Sequence, residues 1–523
     1  MVAVDGTRVR ADVPVDDTWD LGAIYHDQAA WEADIEQVRA DLPRLVAFQG
    51  TLGTSANTLL AALELEEAIS ERLTRVYSWA GLKKDEDNTF TDALVNYDRA
   101  VKLSVEAGQA SAFIEPEILA LPEGAVEAYL ASEPGLARFR HALENLLRLR
   151  AHVLSAEMEQ LLARAGEIAM GPNSIFTMLN NADITHGTIT DEHGNVVPLT
   201  KGNYLRYMEN RSREVRKAAF EGMHAPYIAH RNTIAATYAA SVKTDAFFAA
   251  AHKYNSALEA TLYPNNIPVA VYDNLVSTVN KHLPVLHRYI ALRKKVLGLD
   301  RLAVYDLYVP IVEDVDKEYS FEQGVEITLR GLAPLGDTYR HDLRAGLDSR
   351  WVDIYENRGK TSGAYSWGVH GVHPFILMNW SGRMDDVFTL AHEVGHAMHS
   401  WYTSANQPFT YGRYTLFVAE VASTVNELLL TDALRKETSD RAVEMYLINH
   451  ALEDFRGTLF RQTMFAEFER WSHAQVESGE ALTPDGLSEK YRELCTRYYG
   501  PDVDVDDFVA IEWARVPHFY RAF

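Results

Sequence analysis

Apolar residues that recur three and four positions apart are the feature that most limits what this chain can fold into. The stretch "TLLAALELEEAISERLTRVYSWAGL", residues 58–82, keeps this spacing between charged residues, and "NYLRYMENRSREVRKAAFEGMHAPYIAHRN", residues 203–232, keeps it again. A period near 3.6 residues is typical of amphipathic helices. Since 523 residues, 47% of them hydrophobic, can bury a large core, we predict a mainly α protein with a large helical body.

The helical pattern is first interrupted in "ITHGTITDEHGNVVPLT", residues 184–200. β-branched residues on both sides of the "DEHGN" turn predict a β-hairpin. We place a domain boundary there, between a helical N-terminal domain over residues 1–195 and a second domain over residues 196–523.

A glycine-rich stretch, "NRGKTSGAYSWGVHGVHPFILMNW", covers residues 357–380. Its pattern predicts a mobile loop that leads into a strand, so we expect a small β-sheet in a helical protein. The segment "HPFILMNW" is either an exposed sheet edge, to which a substrate peptide could add a strand, or an ordinary buried strand.

Charge and cysteine content exclude several classes of function. The chain carries 74 acidic and 50 basic residues, a formal net charge of −24, which should repel a phosphate backbone, so nucleic acid is not an expected partner. A single cysteine, Cys495, excludes an internal disulfide and a thiolate zinc cluster. The start "MVAVDGTRVRADVPVDD" has no apolar core of a signal peptide, and no stretch is long enough to span a membrane, so we expect a cytoplasmic protein without a membrane partner.

The stretch "SGRMDDVFTLAHEVGHAMHSWYTS", residues 381–404, predicts a helix that faces a core and begins at a cap, Asp385 or Asp386. Its core face consists of Val387, Leu390, Ala391, Val394, Ala397, Met398 and Trp401. His392 and His396, four residues apart, project from one side and can reach one tetrahedral metal ion. Glu393 lies beside them, where it can act as a catalytic base on a water at the metal.

A catalytic zinc ion needs a third protein ligand and one open position. The metzincin pattern fails, because His399 and Tyr402 stand where that pattern requires glycine and histidine. We therefore expect Glu420, in the following helical stretch "TLFVAEVASTVNELLL", to be the third ligand. Glu427, two turns later, can accept the outer N–H of a zinc-bound histidine. The alternative for both glutamates is a solvated helix face.

Several blocks of the chain resemble the oligoendopeptidase F branch of the thimet oligopeptidase-like zinc peptidases. They are "DDTWDLGAIY", "FTMLNNADI", "YNSALEATLYPNNIP", "SGAYSWG", "DDVFTLAHEVGHAMHS", "FVAEVASTVNE" and "WARVPHFY", in the order of that family. The resemblance implies a mostly helical, cytoplasmic peptidase with one zinc ion per chain in an enclosed cavity that admits oligopeptides and excludes folded proteins.

The same resemblance assigns roles to residues. It implies zinc ligation by His392, His396 and Glu420, a catalytic base at Glu393, and a substrate or transition-state contact at His518. Tyr520, two residues after His518, is a second candidate donor to the oxyanion. The family's sequence continues past the block "PHFYRAF" into a tyrosine-rich segment, whereas this chain stops at Phe523, so we expect a catalytic domain without that segment.

These observations predict an endopeptidase in which zinc and Glu393 activate a water that attacks internal peptide bonds of short, unstructured oligopeptides. Two alternatives stay open, a zinc exopeptidase of the carboxypeptidase type and a weakly active zinc protein that binds peptides. The sequence does not indicate an oligomeric state.

Overall fold

The structure is a computed structural model, and it describes residues 8–312 and 318–523. These residues form two compact units. The first consists of residues 8–150 and 318–440, and the second of residues 151–312 and 441–523. Residues 1–7 lie outside the described residues, and they include part of the start that we expect to lack a signal peptide.

Residues 8–312 are mainly helical. Their helices are α1 (Gln28–Val46), α2 (Ala56–Glu86), α3 (Thr91–Ser111), α4 (Ile114–Ala120), α5 (Ala125–Ser132), α6 (Arg140–Arg148), α7 (Ala156–Ala169), α8 (Gly171–Met178), α9 (Lys201–Met208), α10 (Arg213–Ala229), α11 (Arg231–Ala251), α12 (Ala257–Leu262) and α13 (Val269–Leu297). Their strands are β1 (Thr188–Thr190), β2 (Val196–Pro198) and β3 (Leu302–Ala303).

Residues 318–523 continue in the same way. Their helices are α14 (Phe321–Gly331), α15 (Asp337–Asp348), α16 (Met384–Asn406), α17 (Leu416–Glu437), α18 (Arg441–Asp454), α19 (Arg461–Glu477), α20 (Pro484–Tyr499) and α21 (Asp507–Ala510). Their strands are β4 (Val352–Asp353), β5 (Tyr365–Trp367), β6 (Phe375–Leu377) and β7 (Val503–Asp504). The chain is mainly α, as its periodicity predicts.

The first unit contains α1–α6, α14–α17 and a three-stranded sheet. Tryptophans join its N-terminal helices: the rings of Trp31 on α1 and Trp79 on α2 lie 5.5 Å apart. The indole N–H of Trp31 donates to the carbonyl oxygen of Val76. Both indoles are buried, which fixes how α1 and α2 pack.

The sheet of the first unit has the order β4-β6-β5. Ile376 of β6 faces Val352 of the parallel strand β4 and Ser366 of the antiparallel strand β5, so β6 is the central strand. The expectation that "HPFILMNW" is an exposed edge is therefore wrong, and the buried-strand alternative is correct. Continuous apolar runs are typical of strands that are covered on both faces. Strands β4 and β5 are the two outer strands of this sheet, and β5, whose sequence is "YSW", has no strand neighbour on its outer side among the described residues.

The second unit contains α7–α13 and α18–α21. The predicted hairpin is present, with Ile189 of β1 opposite Val197 of β2. The predicted boundary between residues 195 and 196 lies in this hairpin, inside the second unit, and the division into an N-terminal and a catalytic domain stays a prediction.

A buried ion pair lies in the core of the second unit. The guanidinium of Arg461 on α19 donates to Glu512 over 2.6 Å, and the hydroxyl of Tyr491 donates to the other oxygen of Glu512 over 2.7 Å. Glu512 is buried, so burial alone opposes its ionisation. Arg461 and Arg515 outweigh burial and lower the pKa of Glu512 to about 2.

Within the ranges that the structure describes, none of the helices combines the length and the apolar character required to cross a lipid bilayer.

Candidate metal centre

Helix α16 presents the two histidines of the predicted site. It begins at Met384, and the predicted cap is wrong, because Asp386 lies in the first turn. The carboxylate of Asp386 reaches back and accepts the backbone N–H groups of Ser381 and Arg383, which satisfies donors at the helix start. Apart from Trp401, which is half-buried, the predicted core face is buried. The opposite side carries His392 and His396.

Helix α17 packs very closely against α16 at Gly395. A Cβ atom built on Gly395 would lie 2.6 Å from Cα of Ser423, so this approach requires glycine. One turn further along α17, the side-chain amide of Asn426 donates to the carbonyl oxygen of Ala391 over 3.0 Å. Ser423 and Asn426 are buried, so α17 packs with its small and polar side towards α16.

Helix α17 has an apolar stripe, formed by Val418, Val421, Val425 and Leu428. This stripe is exposed, with Val421 57% and Leu428 53% accessible. Amphipathic periodicity alone would place such a stripe in a core. The close contact at Gly395 and the hydrogen bond of Asn426 determine which side of α17 packs against α16. In this orientation Glu420 faces the histidines.

Three ligand atoms meet between the two helices. Nε2 of His392 lies 3.1 Å from Nε2 of His396, and these two nitrogens lie 3.3 Å and 3.5 Å from Oε2 of Glu420. A tetrahedral zinc ion with bonds of about 2.0–2.1 Å requires ligand atoms about 3.3–3.4 Å apart. Of the described residues, this is the one group of three or more histidine, cysteine or acidic side chains that could hold a metal ion. Donor types and spacing therefore fit zinc.

Further contacts hold the two histidine rings. Nδ1 of His392 donates to Oε1 of Glu427 over 2.6 Å, which fixes this ring so that Nε2 is left for a metal. The backbone of Ala419 lies against His396 and favours its protonated form. Spacing on the helix indicated Glu427, whereas the contribution of Ala419 comes from its backbone and left no signal in the sequence.

Glu393 lies beside His392 and is not part of the group formed by His392, His396 and Glu420. It is buried, and its Oε2 has no hydrogen-bond partner among the described residues. Burial raises the pKa of Glu393 to about 7, Glu420 and Glu427 add to the rise, and His392 opposes it. A carboxyl group with a pKa near neutrality can both accept and return a proton.

Glu420 is the exposed member of the group, with 62% of its side chain accessible. The hydroxyl of Ser423 donates to Oε2 of Glu420 over 2.8 Å, and this is the oxygen that faces both imidazoles. Ser423 is three residues after Glu420, so helical spacing could have identified it as a support.

His399, one turn after His396, is not among the ligand residues. Its ring stacks on Tyr414 with 3.8 Å between ring centroids and an angle of 5° between the planes. Tyr414 belongs to the segment between α16 and α17, so the stack fixes the chain shortly before Glu420.

His518 and Tyr520, the two other predicted site residues, belong to the second unit. They lie in a short 3₁₀ helix, Pro517–Tyr520, in which His518 is exposed and Tyr520 is buried. The hydroxyl of Tyr520 lies 2.8 Å from that of Thr237, and its ring stacks on Phe176. The catalytic roles of His518 and Tyr520 stay predictions.

Comparisons with known proteins point to one group of peptidases. The family model described as Peptidase family M3 matches residues 206–523, and a model described as Oligopeptidase F matches residues 117–186. Oligopeptidase PepF of Bacillus subtilis is 46% identical over 98% of this chain and 76% of its own length. Group B oligopeptidase PepB of Streptococcus agalactiae is 39% identical over 96% of this chain and 83% of its own length.

A solved structure shows the same fold. The crystal structure of oligoendopeptidase-F from Enterococcus faecium superposes with a TM-score of 0.72 at 37% sequence identity. The match covers 94% of this chain and 83% of the Enterococcus chain.

Proposed function

The chain belongs to peptidase family M3, in the oligoendopeptidase F group, and on this basis we propose that it is a single-zinc endopeptidase. Membership makes it an enzyme, a metallopeptidase that acts on oligopeptides. The proposal adds the identity of the metal, the residues that hold it and the mechanism.

The observation that carries the proposal is the triangle of His392 Nε2, His396 Nε2 and Glu420 Oε2, with edges of 3.1–3.5 Å. Two neutral imidazoles and one carboxylate are a donor set typical of catalytic zinc. Because the chain supplies three ligands, a fourth position is left for water or substrate.

When bound, zinc supplies a Lewis acid that polarises the scissile carbonyl and makes water acidic. Glu393 takes a proton from the attacking water and later delivers it to the nitrogen of the leaving amine. Its buried position beside His392 and its unpartnered Oε2 suit both transfers. Glu427 keeps His392 in the tautomer with Nε2 unprotonated.

The substrate peptide extends the sheet of the first unit at β5. Strand β5 has no strand neighbour on its outer side among the described residues, so its backbone groups can pair with a peptide. The strand is held from α2, where Asp85 accepts the hydroxyl of Tyr365 and Ser78 accepts the indole N–H of Trp367. The position of Gly368 against Ser400 brings the end of β5 next to α16.

His518, whose side chain is exposed, is proposed as a substrate or oxyanion contact. Tyr520 would first have to break its hydrogen bond with Thr237 to act as a donor. A cytoplasmic location is part of the proposal and is supported by the single cysteine, Cys495, which is buried and forms no disulfide.

The test uses an internally quenched peptide of about ten residues with a blocked N-terminus and a C-terminal amide, a length that suits a cleft for small ligands. We expect cleavage at an internal bond by protein that contains about one zinc ion per chain. Cleavage restricted to peptides with free ends would identify an exopeptidase. No turnover at full zinc content would favour a protein that only binds peptides.

A further inference from the structure

A groove follows the strand β5 inside the first unit. Two cavities, of about 450 and 580 Å³, share the lining residues Leu73, Thr74, Gly368 and Arg413 and therefore form one continuous depression. The larger cavity is also lined by Ser366 and Trp367 of β5. A peptide that pairs with β5 would place side chains or its end in this groove.

Arg413 is the charged residue in the part of the groove beside β5. The other residues that line the larger cavity are uncharged. Arg413 is exposed, and its guanidinium has no ion pair or hydrogen bond with any described residue. An unpaired arginine presents five N–H donors in a planar arrangement that matches a carboxylate.

Acidic side chains lie only at the other end of the groove. Glu67 is engaged by Arg138 and by the hydroxyl of Thr410, and Glu66 is half-buried and accepts the hydroxyl of Ser70. These bonds leave Arg413 available for a ligand from outside the chain.

The chain on both sides of Arg413 is fixed. Tyr414 stacks on His399, one turn from the ligand His396. On the other side, a Cβ atom on Gly412 would lie 2.8 Å from the ring of His370, so the backbone packs tightly there. The guanidinium is therefore attached at a defined place between the free edge of β5 and the helix that carries the metal ligands.

We propose that Arg413 binds a carboxylate of the substrate peptide, either an acidic side chain or the C-terminal carboxylate, and so determines which peptides the enzyme prefers. This inference rests on the proposed peptidase function. The formal net charge of −24 gives the chain as a whole an unfavourable field for anionic peptides. A local, unpaired arginine in the groove offsets that repulsion at one position. It thereby determines which residues of the peptide pair with β5.

The experiment measures peptide binding, so that it does not depend on turnover. Glu393→Gln protein with full zinc content is titrated with three fluorescent peptides of one sequence. The first is neutral with a C-terminal amide, the second has one internal glutamate, and the third has a free C-terminal carboxylate. We expect one or both carboxylate peptides to bind about fivefold more tightly than the neutral peptide, as for an accessible charge pair.

Adding Arg413→Gln should remove this preference while the Kd of the neutral peptide stays unchanged. Arg413→Lys should retain part of the preference, because it keeps the charge and loses the planar donor set. The matched control is Arg435→Gln, which removes an exposed arginine near the end of α17, outside the groove, and should leave the preference intact.

Two results would overturn the assignment of Arg413: equal affinity for all three peptides before the substitution, or a preference that persists in Arg413→Gln. Failure of the proposed function gives a different result, because it shows as absence of internal cleavage of the quenched peptide by the unmodified zinc-loaded protein, whereas the assignment of Arg413 is read from peptide binding alone. The two carboxylate peptides distinguish recognition of an acidic side chain from recognition of the chain end.

Discussion

Nδ1 of His392 lies 2.6 Å from Oε1 of Glu427, and this bond joins the two helices of the metal centre. His392 is on α16 and Glu427 is on α17, which also carries the proposed ligand Glu420. One contact therefore orients the ring of His392 and holds the helix that carries Glu420, the proposed third ligand.

Glu427→Gln should weaken zinc binding about 10- to 100-fold, because an amide is a poorer acceptor and leaves the ring of His392 less well oriented. Competition with a chelator of known affinity measures the zinc Kd. Glu437→Gln, at the end of the same helix, is the control and should bind zinc as the unmodified protein does. An unchanged Kd in Glu427→Gln would mean that the bond does not support the site.

Glu393→Gln should keep zinc and lose peptidase activity by several orders of magnitude. The amide cannot accept the proton, whereas the three ligand residues are untouched. Metal content and the rate of peptide cleavage are measured on the same preparation. Parallel loss of zinc and rate would instead place Glu393 among the ligands.

Gly395→Ala should destabilise the first unit by about 1–3 kcal/mol, because the new methyl group meets the backbone of Ser423 at 2.6 Å. The shift of α17 should also weaken zinc binding through Glu420. Thermal unfolding and chelator competition report the two effects. Gly108→Ala in α3, where a Cβ would meet no atom within 4 Å, is the control and should be neutral or slightly stabilising.

Stability of the second unit should fall in acid because of Glu512. Its pKa is about 2 in the folded chain against a usual value of 4.5. Since the folded pKa is the lower one, the contribution is fully present above pH 4.5 and is lost as the pH falls towards 2. A pKa shift of this size corresponds to about 3 kcal/mol in the free energy of unfolding.

Glu512→Gln tests this account of the acid sensitivity. At neutral pH it should destabilise the protein by about 3–5 kcal/mol, because Arg461 loses its buried partner. The difference in stability between the variant and the unmodified protein should shrink as the pH is lowered from 5 to 2. A difference that stays constant over this range would show that Glu512 does not titrate on unfolding.

The helical class could be predicted from the sequence, because it follows from spacing along single helices, and the same spacing placed His392 and His396 on one side of their helix as proposed metal ligands. The positions of His392 and His396 relative to the buried face of α16 depend only on the period of the helix. The connection between α16 and α17 is short, so a third ligand was expected on the helix that directly follows the two histidines.

Features that depend on contacts distant in sequence could not be predicted. The central place of β6 depends on its pairing with both β4 and β5, which local alternation does not reveal. The exposed stripe of α17 contradicts its periodicity, because Gly395 and Asn426 determine which side packs. The backbone of Ala419, which lies against His396, carries no signal in its residue type.

The central claim is that His392, His396 and Glu420 hold one zinc ion, and metal analysis of purified protein tests it most directly. We predict about one zinc ion per chain in the unmodified protein and less than about a tenth of that in His396→Ala. The control His341→Ala, which removes an exposed histidine on α15, should keep its zinc. Near-stoichiometric zinc in His396→Ala would contradict the account.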